Sequence, residues 1–354
     1  MMQHICINGE RITREILPEW REGKHGIEAD LADFLDEWWG ANECILLQTS
    51  GSTGKPTSMH ARKEHMLASA LSTCRFFGLN NRSQALLCLP LRYIAGKMMV
   101  VRALACGMNL LVREPSSSPL KDIQAQLNFV AMVPMQATGT LREPNGAQQL
   151  ARCGTILLGG GFVDSALEEE LQHISSQVYA SYGMTETLSH IAMRRVNGAD
   201  KSDAYTPLPG VSVSLTERGT LAITAPNIGV RQLETNDLAA IAEDGRFRIL
   251  GRADSVINSG GIKIQAEEIE QHIASTTGIQ CVALPIPHPV LGQAVALLWE
   301  GNPNEESTLR QALQELPKYH FPHLIQHIHS LPRTATGKIA RRLCAEMIKD
   351  QQKI

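Results

Sequence analysis

Hydroxyl, glycine and lysine residues dominate a segment from Thr49 to Pro56, which comes directly after an apolar, strand-like run. The backbone N–H groups and hydroxyls of such a loop can surround a polyphosphate, and Lys55 adds positive charge. Gly51 and Gly54 enclose two residues where a Walker A loop has four, which disfavours a P-loop NTPase. A flexible Ser/Gly loop remains the alternative interpretation.

Two further segments carry groups suited to the rest of a nucleotide. In Tyr182–Thr187 (YGMTET), a tyrosine at a strand end can lie against a base, Thr185 can donate to a phosphate, and Glu186 can hold a hard cation through oxygen. Asp237 precedes Arg252 by fifteen residues, and this pair would suit ribose hydroxyls and a phosphate. A capped surface turn and a surface ion pair explain these segments equally well.

A lysine follows a tight-turn sequence near the end of the chain. Lys338 comes directly after Thr336 and Gly337 in LPRTATGK. A lysine on such a turn can move into a cleft as a mobile cation. Taken alone, a solvated lysine explains the residue as well.

Composition excludes several classes of protein. The 354 residues are 43% hydrophobic and 19% charged, which is typical of a globular chain and unlike a disordered one. The 33 basic and 36 acidic residues give a net charge of −3, so no broad basic surface for nucleic acid or an anionic membrane is expected. The longest apolar run near the middle, 103–112, is too short to span a bilayer, and the N-terminal sequence lacks a signal-peptide core. A cytoplasmic location is the default expectation.

The eight cysteines are scattered along the chain, and none stand in a CxxC pair. This spacing favours reduced thiols that pack as small hydrophobic residues over a zinc site or a disulfide framework.

The pattern of apolar residues predicts the elements that must position these groups. Apolar runs at 43–49, 85–89, 109–112, 129–133 and 155–158, with a helical pattern at 64–78, predict an α/β domain with a largely parallel sheet. From about residue 205, short alternating segments predict a small antiparallel β part. A polar, glycine-bearing stretch near 251–263 precedes a helix, two strands and another helix. We therefore expect an N-terminal domain over 1–252 and a smaller α+β C-terminal domain over 253–354.

All of these segments occur together and in one order, and in this the chain resembles the adenylate-forming acyl-CoA ligase superfamily of AMP-binding enzymes. The matching segments are TSGSTGKP, YGMTE, Asp237 with GRAD, SGGIKI followed by EEIE, and PRTATGK, and they span about residues 43–342. Within the superfamily, LPLRYIAGKMMVVRAL, MTETLSHIA and VINSGGIKI resemble most the o-succinylbenzoate–CoA ligase family of menaquinone biosynthesis.

The resemblance implies a role for each matching residue and makes ATP, Mg²⁺ and CoA the expected cofactor and co-substrates. Lys338 would be the adenylation lysine in a mobile C-terminal domain, Thr185 would contact the α-phosphate, and Glu186 would bind Mg²⁺. Asp254 would be the hinge, and Gly261 would border the pantetheine tunnel. The remaining nucleotide-binding positions would be the phosphate loop of Thr49, Ser50, Gly51, Ser52, Thr53, Gly54 and Lys55, the adenine site of Gly159, Gly160, Gly161, Tyr182 and Gly183, and the ribose site of Asp237 and Arg252.

o-Succinylbenzoate has a second carboxylate, which an apolar pocket must neutralise. Lys97 and Arg102 stand five residues apart in an apolar run, so on one helix they would point in different directions. Two surface cations beside a buried helix are the alternative. The resemblance favours Arg102 as the substrate residue, with Ser189 and His190 beside it.

The chain departs from the superfamily pattern at two points. Thr57 stands where relatives usually have a lysine after the loop proline, and only 48 residues precede the loop, which predicts a form shortened at its N-terminus.

The sequence leaves the oligomeric state open, with a homodimer as one option. The alternatives are the same chemistry on another acyl or aryl acid and a non-catalytic protein that binds a nucleotide or an acyl-adenylate.

Overall fold

The strands of the first two hundred residues are short, and most of them join one large sheet. The computed structural model of the chain describes residues 3–48, 58–334 and 338–351. These strands are β1 (His4–Ile7), β2 (Glu10–Thr13), β3 (Cys44–Gln48), β4 (Ser58–Arg62), β5 (Gln84–Leu87), β6 (Asn109–Val112), β7 (Leu127–Met132), β8 (Cys153–Leu158), β9 (Gln177–Gly183), β10 (His190–Arg195) and β11 (Thr206–Pro207).

The large sheet has the order β11-β10-β9-β8-β7-β5-β6-β1-β2. Its centre, from β9 through β8, β7, β5 and β6 to β1, is parallel, and the outer pairs are antiparallel. This confirms the predicted α/β fold. The predicted strand at 43–49 lies outside this sheet, because β3 pairs with β4 as a separate antiparallel hairpin.

Helices cover the large sheet and bury its apolar strands on both faces. They are α1 (Leu17–Arg21), α2 (Gly26–Trp39), α3 (Lys63–Phe77), α4 (Ile94–Cys106), α5 (Pro134–Leu141), α6 (Gly146–Ala151) and α7 (Ser165–Leu171). Helix α3 matches the predicted helix over 64–78 and ends at Gly78, whose φ of +65° is the left-handed conformation that favours glycine at a helix end. Helix α4 is buried along most of its length, as its almost wholly apolar sequence requires.

A disulfide joins α3 to α4, and it corrects one expectation from the sequence. Cys74 and Cys106 form this bond with their Cα atoms 6.7 Å apart, whereas reduced thiols were expected throughout. The sequence gives no local signal, because the partners are 32 residues apart and meet only when the two helices pack side by side. The six other cysteines are free.

A small antiparallel sheet follows the large one. It comprises β12 (Ser212–Leu215), β13 (Thr220–Ala225), β14 (Val230–Ile241) and β15 (Phe247–Arg252), paired in chain order. This confirms the antiparallel part predicted from residue 205 onward. The register pairs Asp237 of β14 with Arg252 of β15.

The last hundred residues build a third sheet with its own helices. Its elements are β16 (Val256–Ser259), β17 (Ile262–Gln265), α8 (Ala266–Thr277), β18 (Gln280–His288), β19 (Gly292–Glu300), α9 (Glu306–Gln314), β20 (Leu324–Ile328) and α10 (Arg341–Gln351). Within the described residues, the two apolar clusters here draw only on residues 257–348, and those of the other sheets draw only on earlier residues. None of the helices in the described part of the chain is long and apolar enough to cross a membrane.

Candidate active site

The glycine run Gly159–Gly161 lies at the carboxyl edge of the parallel sheet, where open α/β sheets bind ligands. It follows β8 directly and passes close to its neighbours on both sides. A Cβ on Gly159 would lie 2.7 Å from Ser181 Oγ, and one on Gly161 would lie 3.4 Å from Pro134. Side chains at these positions would therefore narrow the space beside the end of β9, where Tyr182 lies.

Asp237 binds two donors that come from different sheets. Its carboxylate accepts a hydrogen bond of 2.6 Å from the Tyr182 hydroxyl and one of 3.3 Å from Arg252 Nη1. Arg252 also donates twice to Asp254, through Nε and Nη2, each at 2.8 Å. Burial and the charge of Asp237 raise the pKa of Tyr182, and the bonds from Arg252 lower the pKa of Asp254. The structure therefore brings together the four residues predicted for ribose, adenine and hinge.

Lys338 lies beside this group, although it is distant in sequence. Its side chain is solvent-exposed, and its pKa is lowered by partial loss of hydration and by the positive charge of Arg252, while Asp237 acts in the opposite sense. Two hydrogen bonds hold its backbone to Thr334: the Thr334 N–H donates to the Lys338 carbonyl at 2.7 Å, and the Lys338 N–H donates to Thr334 Oγ1 at 3.2 Å. Three residues later, Arg341 donates to the carbonyl of Ala283 at 3.0 Å and to Glu270 at 2.6 Å, which fixes the start of α10.

The Tyr182–Thr187 segment ends in a tight turn rather than a regular helix. Residues Thr185–Thr187 form one turn of 3-10 helix, and Leu188 follows with a φ of +62°, a left-handed conformation that is strained for leucine. The Glu186 carboxylate is exposed, and a hard oxygen donor there fits Mg²⁺. The described residues contain no group of three or more His, Cys, Asp or Glu side chains that could hold a metal ion.

A buried cation lies next to this turn. Arg102 of α4 is only 2% exposed and donates from Nη2 to Ser189 Oγ at 2.5 Å. Ser189 Oγ is in turn 3.2 Å from Nδ1 of His190, which is also buried. Burial lowers the pKa of Arg102 to about 10, and burial with the charge of Arg102 lowers the pKa of His190 well below its usual range. Three of the four predicted substrate residues thus form one cluster.

The fourth, Lys97, points elsewhere. Its Nζ lies 3.4 Å from Glu37 and 4.7 Å from the centre of the Phe34 ring, both on α2. The five-residue spacing on α4 separates it from Arg102, as expected for a helix. Lys97 therefore forms an ion pair with Glu37 and does not join the cluster of Arg102, Ser189 and His190.

Two other predictions from the sequence concern Gly261 and the phosphate loop. Gly261 lies in the turn between β16 and β17 with a φ of +85°, and a Cβ there would meet nothing within 4 Å. The phosphate loop Thr49–Lys55, and Thr57 after it, lie outside the described residues.

Comparison with known proteins now identifies the family. The model of the family described as AMP-binding enzyme matches residues 5–228, well over half of the chain. The chain belongs to the AMP-binding enzyme family. This confirms the resemblance that the sequence motifs indicated, and with it the assignment of the chain as an enzyme of the acid–CoA ligase type.

Curated relatives of the chain share one enzyme name. The 2-succinylbenzoate–CoA ligase of Lactococcus lactis is 28% identical over 335 residues, which cover 88% of this chain and 72% of the relative. The enzyme of the same name from Escherichia coli is 25% identical and is covered over 71% of its length. The chain therefore spans about seven-tenths of these relatives.

Solved structures agree on the fold. An acyl-CoA synthetase (AMP-forming)/AMP-acid ligase II-like protein from Dyadobacter fermentans is 34% identical, with a TM-score of 0.64, and the match covers 94% of this chain and 98% of that one. The o-succinylbenzoate CoA synthetase of Bacillus subtilis, solved with its acyl-adenylate intermediate, has a TM-score of 0.72 at 23% identity and is covered over 68% of its length. Relatives both longer than this chain and of similar length share its architecture.

Sequence reasoning missed one residue of the substrate cluster. Thr73 of α3 is fully buried, and its Oγ1 lies 3.1 Å from Nε2 of His190. Thr73 lies on the same face of α3 as the apolar residues Met66, Ala70 and Phe77. A hydroxyl on such a face is the signal in the sequence, because a buried polar side chain must find a hydrogen-bond partner.

Proposed function

We propose that the protein is an ATP-dependent acid–CoA ligase that adenylates o-succinylbenzoate, releases pyrophosphate and transfers the acyl group to CoA, as a step of menaquinone biosynthesis. The observation that carries the substrate is the buried cation Arg102, which donates a hydrogen bond to Ser189, two residues after the Thr185–Thr187 turn. The names of the curated relatives support the same acid.

The charge on Arg102 has no acidic partner among the residues that the structure describes. Its guanidinium donates to Ser189 and, at 3.6 Å, to the sulfur of Met99. Its buried Nε has no hydrogen-bond acceptor among the described residues. A buried cation without a counter-ion is costly to the folded protein. A substrate with a second carboxylate would supply that counter-ion, whereas a simple monocarboxylic acid would leave the cation unpaired.

The nucleotide end of the site supports ATP as the other substrate. Tyr182 would lie against adenine, with Gly159–Gly161 on the opposite side, and Asp237 would bind the ribose hydroxyls with Arg252 nearby. The predicted loop Thr49–Lys55 would hold the β- and γ-phosphates. Glu186 would bind Mg²⁺, which when present neutralises phosphate charge.

The first half-reaction needs positioning and charge more than a protein nucleophile. A carboxylate oxygen of the acid attacks the α-phosphorus, and the bond to pyrophosphate breaks. Thr185 would donate to the α-phosphate, and the ammonium of Lys338 would meet the negative charge that develops between carboxylate and phosphate. The observed position of Lys338 beside Arg252 and Asp237 suits this step.

The second half-reaction forms the thioester. The thiol of CoA loses its proton and attacks the acyl carbon, and AMP leaves. Thiol and pantetheine must enter where Lys338 lies, so the C-terminal domain, 253–354, would turn against domain 1–252 about Asp254. The separate apolar clusters on either side of residue 256 support two bodies that can move against each other. Gly261 would then border the pantetheine arm.

Pyrophosphate release with ATP, Mg²⁺ and a panel of carboxylic acids tests the proposal, with product analysis after CoA is added. We expect o-succinylbenzoate to release pyrophosphate and AMP and to give a thioester with CoA. Lys338→Ala should lose pyrophosphate release, and Lys121→Ala, which changes an exposed lysine paired with Glu143, serves as its control. A preference for another acid would contradict the proposed substrate but leave the proposed ligase reaction in place. ATP binding without release on any acid would leave a nucleotide-binding protein.

A further inference from the structure

The buried cluster around Arg102 is a chain of hydrogen bonds that crosses three parts of the fold. It runs from Thr73 on α3 to His190 at the start of β10, then to Ser189 and finally to Arg102 on α4, with successive distances of 3.1, 3.2 and 2.5 Å. Gly183 permits this approach, because a Cβ there would lie 2.3 Å from the carbonyl of Ser189.

The order of donors along the chain follows from counting protons. Thr73 Oγ1 donates its one proton to the carbonyl of Ser69 at 3.2 Å, so toward His190 it must accept, and the imidazole proton lies on Nε2. Nδ1 of His190 then carries the lone pair and accepts from the Ser189 hydroxyl. The Ser189 oxygen is left to accept from Arg102 Nη2. Each hydroxyl and imidazole proton of the cluster is then used once, and only this tautomer also keeps the bond from Thr73 to the carbonyl of Ser69.

The opposite tautomer would leave the cluster without a consistent set of donors and acceptors. A proton on Nδ1 would make Ser189 accept from His190 as well as from Arg102, and the Ser189 proton would have no acceptor in the cluster, because a guanidinium can only donate. Thr73 would also have to release the carbonyl of Ser69 in order to donate to Nε2. A Ser189 hydroxyl that turns toward another acceptor would no longer present the same lone pair to Nη2. Among the described residues no hydrogen bond joins Thr73 directly to Arg102 or to the turn at Thr185, yet Thr73 decides which way the hydroxyl of Ser189 points.

We propose that Thr73 and His190 are positioning residues that fix the guanidinium of Arg102 for the second carboxylate of the acid, and so set the preference for dicarboxylic over monocarboxylic substrates. The inference rests on the proposed function. It adds that the preference depends on a hydroxyl that does not contact the substrate. His190 stays neutral in this role, so Arg102 remains the single positive charge of the cluster.

Thr73→Val tests the proposal, because valine keeps the shape of threonine and removes the acceptor for His190. The readout is kcat/KM for o-succinylbenzoate relative to 4-oxo-4-phenylbutanoate, the same acid without the ring carboxylate. We expect the ratio to fall about fivefold, the scale for one hydrogen bond, through KM for the dicarboxylate. KM for ATP should not change. Thr73→Ser restores the hydroxyl and should restore the ratio.

Thr140→Val is the matched control. Thr140 is also fully buried in a helix and also donates to the carbonyl four residues earlier, at 2.8 Å, but its hydroxyl has no histidine partner. Thr140→Val should therefore have a similar effect on stability and leave the ratio unchanged. An equal fall in both valine variants would overturn the positioning role and indicate a general loss of packing.

A second readout does not depend on activity. Nitrogen NMR of the imidazole rings, with His190 assigned by difference from His190→Gln, should show the Nε2–H tautomer in the wild-type protein and a mixture in Thr73→Val. An Nδ1–H ring in the wild type would overturn the proposal. A wild-type enzyme without preference for the dicarboxylate would overturn the proposed function as well, whereas a preference that Thr73→Val retains would overturn the positioning role alone.

Discussion

At the scale of single residues, Asp237 links the two ends of the proposed nucleotide site. The Tyr182 hydroxyl and Arg252 both donate to it, and the charge of Lys338 lies within its reach. Lys338 therefore shares its surroundings with one acid and one other cation. Arg252 itself donates two hydrogen bonds to Asp254, whereas the Lys338 ammonium has no hydrogen-bond partner among the described residues, so its charge can act on a substrate.

Lys338→Ala should separate the two half-reactions. Acyl-adenylate formation should slow by roughly 10²–10³-fold, the scale for one preorganised transition-state donor. Thioester formation from supplied acyl-adenylate and CoA should remain close to normal, because in the proposed domain rotation the lysine would have left the site by then. Single-turnover assays of each step make the comparison, and an equal loss in both steps would contradict the assignment.

The neutral state of His190 predicts how stability depends on pH. In the unfolded chain its pKa is about 6.5, and in the folded protein it is much lower. Below pH 6.5 the unfolded chain therefore takes up a proton that the folded protein does not, and stability falls by up to about 1.4 kcal/mol per pH unit. His190→Gln should remove this part of the loss. Urea unfolding at pH 5 and pH 7 checks it, and identical pH dependence in both proteins would show that His190 titrates normally.

At the scale of elements, α3 and α4 act as one support for the substrate cluster. Thr73 stands next to Cys74 on α3, and Arg102 lies one turn before Cys106 on α4, so the disulfide joins the two helices beside the residues they present. The pairing of helices was not predictable from local sequence, since hydrophobic periodicity fixes which face is buried but not which neighbour it meets.

Replacing both Cys74 and Cys106 with alanine should lower the free energy of unfolding by about 3–4 kcal/mol, the loop-entropy value for a separation of this length. Urea unfolding of the variant and of the oxidised protein gives the difference. Alkylation of the protein under denaturing, non-reducing conditions, followed by mass measurement, should find six free thiols, because four of the six are buried in the folded protein. Eight free thiols would contradict the disulfide.

The hairpin of β16 and β17 offers a test of the thioester step. Gly261 has a left-handed backbone, so alanine and leucine there should both cost about 1–2 kcal/mol of stability. Open space around the position means that neither clashes within the observed structure. If the glycine borders the pantetheine arm, Gly261→Leu should block transfer to CoA and spare adenylation, while Gly261→Ala should retain much more of the transfer. Equal transfer rates in the two variants would remove Gly261 from the tunnel.

At the scale of the whole molecule, the sequence predicted the parallel sheet and the antiparallel part well, because apolar runs and turn residues are local signals. Candidate residues in contiguous motifs, such as Tyr182 and Glu186, can be proposed from the sequence for the same reason, and their roles stay predictions. Thr73 could not, because its role depends on α3 packing against β10 across 117 residues of chain. Lys97 shows the converse: its charge looked suited to the site, and only the packing of α2 shows where it goes.

The central claim is that Arg102, a buried cation without an acidic partner among the described residues, selects the substrate. It is tested most directly by measuring kcat/KM for o-succinylbenzoate and for 4-oxo-4-phenylbutanoate in the wild type and in Arg102→Ala. Arg194→Ala is the control, because Arg194 is a buried arginine that already has Glu168 as its partner.

We predict that Arg102→Ala loses about 1.5–3 kcal/mol toward the dicarboxylate, the range for a hydrogen bond to a charged group, and much less toward the analogue. Arg194→Ala should leave the ratio of the two acids as it is in the wild type. A preference ratio that survives in Arg102→Ala would contradict the account.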